Sequence, residues 1–266
     1  MSSETCRICP HNCKLGISFC GGRDAYGKIS AIALDPIEKK PLRRFHPGKL
    51  ILSVGSFGCN FRCGFCQNHH ISSSDLSSCR DKTYTYISPD ELAEKAAKLV
   101  PDGNIGVAFT YNEPLINFEY VLDSAKIIRA ENMKNVLVTN GFINPEPLSE
   151  ILPFIDAMNI DLKAFTADFY KKICGDLETV KSTIVAANRS CHVEISTLII
   201  PGENDSDEEI TAIAKWISSV DKDIPWHISR YFPRHEYTVP ATEPATIYRL
   251  AEIAWGHLNY VYEGNL

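Results

Sequence analysis

The chain has 266 residues, 44% of them apolar and 23% charged, ordinary proportions for a globular protein that buries one large core or two smaller ones. Its net charge of −6 gives no support to nucleic-acid binding through overall positive charge. No apolar run is long enough to span a bilayer. Met1 to Pro10 lack the apolar stretch of a secretory signal, so the expectation is a cytoplasmic protein with no membrane contact.

The cysteines stand out. Ten are present, too many to be structural disulfides in a reducing compartment. Cys6, Cys9, Cys13 and Cys20 lie in the first twenty residues, and Cys59, Cys63 and Cys66 within eight. Cys79, Cys174 and Cys191 are scattered and read as ordinary thiols. Two clusters predict two metal sites.

Residues 1–49 show little periodicity and are rich in Cys, Gly, Pro and basic residues. They read as a small Cys-rich metal-binding lobe. Their Asp35–Leu42 stretch is charged and bounded by prolines, which predicts an exposed rigid loop. Residues 50–266 read as a second domain. Short apolar runs at Leu50–Val54, Ile105–Phe109, Val136–Thr139, Ala157–Leu162, Val193–Ile200 and Trp226–Tyr231 predict strands.

Helix signals fill the gaps. Ser88-Pro89-Asp90-Glu91 spells a capping box with proline at the first helical position. Phe118, Val121, Leu122, Ala125 and Ile128 form an apolar stripe. Asn144-Pro145 opens a short helix, and Thr166 caps the next. Ser206 and Glu209 spell a second capping box, and a last helix runs from about Pro244 to Leu258. Strand and helix alternating six times predict a parallel sheet with helices outside it. Periodicity leaves the sheet open or curled, and in either case function belongs at the C-terminal strand ends.

The loop after the first strand of this series reads Gly58-Cys59-Asn60-Phe61-Arg62-Cys63-Gly64-Phe65-Cys66. Its C-x3-C-x2-C spacing offers three thiolates to a four-iron, four-sulfur cube and leaves the fourth iron open. A zinc knuckle completed by His69 or His70 fits the same spacing. Cys6, Cys9, Cys13 and Cys20 offer four thiolates to zinc or to a second iron-sulfur cluster, with His11 as a spare ligand.

The three-cysteine loop resembles that of radical S-adenosylmethionine (SAM) enzymes. The closer resemblance is to the radical SAM member of the AmmeMemoRadiSam system, itself similar to pyruvate formate-lyase activating enzymes. It runs through Cys6–Cys13, Cys20–Arg23, Asp35–Leu42, Gly58–Ser72, Phe109–Pro114, Thr139–Gly141, Asn159–Lys163 and Pro225–Arg230. It implies a partial (β/α)6 TIM-type barrel preceded by the Cys-rich lobe. It also implies a [4Fe-4S] cluster on Cys59, Cys63 and Cys66 that cleaves SAM reductively to a 5′-deoxyadenosyl radical, which takes hydrogen from a substrate. The radical is borne by the cofactor, so no residue is expected to be catalytic in its own right.

By the same resemblance Glu113, in Tyr-Asn-Glu-Pro where the family has Gly-Gly-Glu-Pro, holds the SAM ammonium, with Asn112 beside it. Asp161 and Lys163 contact SAM, Lys163 near its carboxylate. Asn140 and His227 are further cofactor contacts. Flavodoxin or ferredoxin is the expected electron donor, and the substrate is a protein, as for a glycyl-radical activase, or a small molecule. Two features depart from relatives: residues 67–87 hold only Cys79, and no cysteine follows Cys191. A metal-binding scaffold without catalysis, or a zinc hydrolase on a barrel, is the competing expectation.

Overall fold

The computed structural model describes residues 5–14, 18–21, 25–72 and 83–266; Cys79, Gly22 and Arg23 lie outside them. The strands are β1 (Lys28–Ile29), β2 (Ala31–Pro36), β3 (Leu50–Gly55), β4 (Thr85–Tyr86), β5 (Asn104–Phe109), β6 (Lys134–Thr139), β7 (Ala157–Asp161), β8 (His192–Ile199), β9 (Trp226–Arg230) and β10 (Val261–Gly264). The helices are α1 (His69–Ser72), α2 (Pro89–Lys98), α3 (Phe118–Ala130), α4 (Pro145–Ile151), α5 (Ala167–Lys172), α6 (Leu177–Asn188), α7 (Asp207–Asp221) and α8 (Pro244–Trp255).

All six expected strands form, and they lie side by side in the order β9-β8-β7-β6-β5-β3. Each pairs with its neighbour in parallel. Two strands that carry no clear periodicity extend the sheet. β10 adds in parallel to β9, and β2 adds antiparallel to β3. The sheet therefore begins at Ala31, within the segment read as a Cys-rich lobe.

The helix-facing side of the sheet carries Leu52, Val54, Val107, Leu137, Ile160, Ile195 and Trp226, packed with Val121, Ile128, Ile184, Ile213 and Leu250 of the helices. The other side holds a small apolar floor of Ile37, Leu42, Ile51, Ala108, Val136 and Ala157. The connection from β2 to β3 crosses this inner side. The Pro41 carbonyl accepts from Asn159 of β7, and the Arg43 and Arg44 amides donate to Glu194 of β8. Arg44 then stacks over Tyr260 beside β10. One connection can touch both β3 and the far strands only because the sheet curls, so the architecture is a partial (β/α)6 barrel plugged from its inner side.

Helix starts follow local chemistry. Ser88 and Glu91 complete their capping box. Ser206 caps α7 through the Glu209 amide, but no reciprocal bond closes that box. The Glu209 carboxylate instead accepts from the Phe165 amide at 2.6 Å and ties down the loop after β7. Asn144 does not cap α4 with its side chain; its amide groups donate to the Ile8 and Arg7 carbonyls and fasten the N-terminal hairpin to the barrel.

The register of β3 against β5 shifts between Leu50 and Leu52. Buried Asn104 repairs the break: its Oδ1 accepts from the Leu52 and Gly106 amides, and its Nδ2 donates to the Ala96 carbonyl of α2. Asn104→Leu strips partners from two buried N–H groups. It should cost about 2–4 kcal/mol and lower the melting temperature by roughly 5–15 °C, read by thermal denaturation. An unchanged transition would remove Asn104 from this role.

Candidate functional site

The loop from Ser56 to Asn68 leaves the C-terminal end of β3. Its spacer residues fix its course. Phe61 packs on Phe142 and Tyr170, and Phe65 on Phe169 and Tyr237. Both rings are buried, while Cys59, Cys63 and Cys66 are half-buried around them. The apolar spacers thus anchor the loop in the core and leave the three sulfurs at the barrel mouth. Asn60 is buried with its amide bonded to the Phe142 carbonyl.

These thiols sit where burial favours the protonated form. Burial pushes Cys63 up to about 12, against the pull of Lys163, and Cys59 higher still, with Glu113 adding to the effect. Thiolates here need a positive partner. The Phe61 amide, at 3.3 Å, and Asn140 Nδ2, at 3.7 Å, donate to Cys59 Sγ. A site with N–H donors aimed at sulfur, Lys163 close by and little water fits an iron-sulfur cluster, whose irons supply that charge. His69, a candidate fourth zinc ligand, is engaged elsewhere. It bonds the Cys66 carbonyl and stacks on His235, and among the described residues no three His, Cys, Asp or Glu side chains converge on one ion.

The Tyr111-Asn112-Glu113-Pro114 turn follows β5. Tyr111 adopts φ of 71°, the left-handed region that a glycine takes freely and that costs other residues about 1–2 kcal/mol. Asn112 is a clamp: its Oδ1 accepts from the Ser56 amide, and its Nδ2 donates to the Gly58 and Glu113 carbonyls. Glu113 is 3% exposed. It accepts from the Leu115 and Asn140 amides and from Thr139 Oγ1. Burial raises its carboxyl to about 7, although these bonds oppose the rise. A carboxylate has about four acceptor positions, so Glu113 keeps one in reserve.

Asn140 also acts as a strut. Its Nδ2 donates to Asn60 Oδ1 and its Oδ1 accepts from the Phe142 amide. Asp161 and Lys163 pair at 2.9 Å at the end of β7. Burial alone would lower Lys163, but Asp161 and the nearby Cys63 outweigh it and hold the ammonium above its usual range. The Tyr170 hydroxyl accepts from the Lys163 amide and Asn204 donates to its carbonyl, so the backbone that carries Lys163 is fixed.

The N-terminal cysteines lie beside this site. A hairpin forms around the Thr5–Lys14 bridge, with the Cys6 amide donating to Cys13. Cys6, Cys9, Cys13 and Cys20 all line one cleft that opens to solvent.

The model of the Radical SAM superfamily matches residues 53–216, more than half of the chain. The chain belongs to the radical SAM superfamily. It is 37% identical over 278 residues to Uncharacterized protein MJ0808 of Methanocaldococcus jannaschii, spanning 98% of this chain and 81% of that one. It is 24% identical over 179 residues to the pyruvate formate-lyase 1-activating enzyme of Escherichia coli K12, spanning 64% of this chain and 71% of that enzyme. The crystal structure of QueE from Escherichia coli shares the fold with a TM-score of 0.57 at 14% identity, over 91% of this chain and 95% of that one. The protein is thus an enzyme of the radical SAM class, which implies a [4Fe-4S] cluster and SAM. No helix among the described residues is long and apolar enough to cross a membrane.

In this radical SAM chain His227 sits deeper than a free ligand would. Its Nε2 meets Glu194 Oε2 at 2.6 Å, and its ring stacks on Tyr262. Glu194 is buried and also meets His192 Nε2, besides the two arginine amides. Residues given no role by the sequence alone complete the site. Arg62 donates to the Cys59, Phe61 and Phe19 carbonyls, and Thr139 and Asn60 hold Glu113 and Asn140. Each lies inside a motif the sequence showed, but nothing in spacing or periodicity marked its bonding role.

Burial would raise the Glu194 carboxyl, but bonds from His192, His227 and the Arg44 amide overcome it and hold the group at about 2 instead of 4.5. A depressed carboxyl stabilises the fold above its unfolded value. That stability, on the order of 3 kcal/mol, is lost as pH falls from 4.5 towards 2. Urea denaturation of wild type and Glu194→Gln at pH 5 and pH 3 should show a smaller acid loss in the variant. Equal losses would discount the network.

Proposed function

We propose that this enzyme uses SAM to abstract hydrogen from a substrate, and that it resembles in function the radical SAM member of the AmmeMemoRadiSam system. The observation that carries the hydrogen-abstraction reading is the Lys163 ammonium, paired with Asp161 at 2.9 Å beside the cysteine loop. A cation next to a cluster ligand is what a SAM carboxylate needs. When bound, the [4Fe-4S] cluster and SAM together supply a 5′-deoxyadenosyl radical.

The protein's part is to hold and orient. Cys59, Cys63 and Cys66 take three irons and leave the fourth for SAM. The spare acceptor position of Glu113 suits the SAM ammonium, and Lys163 its carboxylate. Asn112 and Asn140 hold the loop and Glu113 in place, so they act as positioning residues. His227 has one ring nitrogen turned to Glu194 and acts through that pair. The four N-terminal cysteines form a second metal site in the lobe spanning residues 1–49. An electron donor of the flavodoxin or ferredoxin class serves the enzyme in the cytoplasm. A protein substrate is the second reading, supported by relatives named as activating enzymes.

Anaerobic reconstitution with iron and sulfide, dithionite and SAM should yield 5′-deoxyadenosine from wild type and none from Cys63→Ala. Zinc in place of a cluster, with no product, would overturn the reading. Lys163→Met should keep its cluster and weaken SAM binding about 10–100-fold, the loss of one charge-assisted bond, measured by equilibrium binding. Undiminished affinity would remove Lys163 from the cofactor site.

A further inference from the structure

The barrel mechanism makes no use of Cys6, Cys9, Cys13 and Cys20, yet the four line one cleft. Their four cysteines come from both strands of the hairpin and from the segment that follows it, and all four face one cavity with Phe19 and Ile116. Cys9 is buried and the other three are half-buried, so four thiols around one open cleft offer a complete ligand set. Zinc would require them to converge at about 2.3 Å on a single point. Among the described residues no three potential ligands do so. In an iron-sulfur cluster each thiolate binds its own iron, so the sulfurs stand apart around a body of some size.

The second observation is what this cavity touches. The Cys59 amide donates to the Cys20 carbonyl at 3.1 Å. Gly58 makes this approach possible: its φ is 88°, and a Cβ there would collide with the Cys20 carbonyl oxygen. Arg62 straps the two segments together through Phe19 and Cys59, with its guanidinium 3.9 Å over the Phe19 ring. His11 Nε2 meets the Asn60 carbonyl at 2.8 Å. The two cysteine sets share one wall, and backbone bonds run through it.

We propose that Cys6, Cys9, Cys13 and Cys20 ligate a second iron-sulfur cluster in electronic contact with the cluster on Cys59, Cys63 and Cys66. One electron from a low-potential iron-sulfur or flavin protein reduces the outer cluster and passes to the inner one; no bond to protein or proton changes place. The contact rests on the cluster reading of the previous subsection, while the ligand set stands without it.

The test uses the full chain, reconstituted anaerobically, with iron, sulfide and zinc counted and the dithionite-reduced protein examined by EPR. Wild type should hold about eight irons and show a signal broadened by spin coupling. A Cys6→Ala, Cys13→Ala double variant leaves buried Cys9 in place. It should hold about four irons, show a simple signal, and still change that signal when SAM is added. Cys63→Ala should retain the other four. Wild type with about four irons, or with zinc at the N-terminal set, overturns the proposal and leaves SAM cleavage standing. Eight irons with two independent signals overturns the electronic contact. Full iron in Cys63→Ala would sink the inner-cluster reading instead. The wild-type count decides the outer site even where a variant fails to fold.

Discussion

Where β3 ends, the sheet's hydrogen-bond ladder ends too, and three buried asparagines take over. Asn112 holds Ser56 and Gly58, Asn60 holds the Phe142 carbonyl, and Asn140 joins Asn60 to the turn after β6. A loop can be buried only if its backbone polar groups find partners. These amides supply them, and together they tie the end of β3 to the ends of β5 and β6. The cluster loop is therefore fixed to β5 and β6 by side chains whose every bond is internal. Sulfurs on such a loop cannot drift, which a cluster with one open iron requires.

The same enclosure sets the electrostatics. The mouth gathers Cys59, Cys63 and Glu113 in surroundings that penalise negative charge. Lys163 and Arg62 are the cations placed against them. Neutral thiols are the resting answer to that imbalance, and charged irons are the functional one. Metal binding here is coupled to deprotonation, so the apoprotein tolerates an empty site without carrying several buried anions.

The six central strands were legible because each is a short β-branched or aliphatic run bounded by helix signals. The cluster loop was legible from spacing. β2 and β10 were not: β10 is four residues without a pattern, and the apolar run Ala31–Leu34 of β2 lies in the segment read as a metal-binding lobe. Asn112 and Asn140 sat in motifs that pointed to the cofactor, yet their side chains are spent on the cysteine loop, Asn112 on the Ser56 amide and Gly58 carbonyl and Asn140 on Asn60. Glu209 likewise left its expected cap for Phe165. Such choices depend on which distant carbonyl or amide is left unpaired, and periodicity carries no record of that.

Asp35–Leu42 shows how far such support can reach. Its charge and prolines suggested an exposed loop, but Lys40 and Ile37 are buried in the barrel. Burial would raise Asp35, yet Lys40 and Lys39 hold it well below the usual carboxylate range. The ionised Asp35 then accepts from the Tyr111 hydroxyl at 3.0 Å, while Lys40 lies over the Tyr111 ring. Tyr111 is the residue in the left-handed conformation directly before Asn112 and Glu113. A glycine would adopt that conformation unaided; tyrosine needs its ring held. The loop after β2 provides that hold, so a segment 76 positions upstream sets the backbone from which Glu113 faces the cluster. The tyrosine that replaces glycine in this motif and the charged loop are two halves of one device.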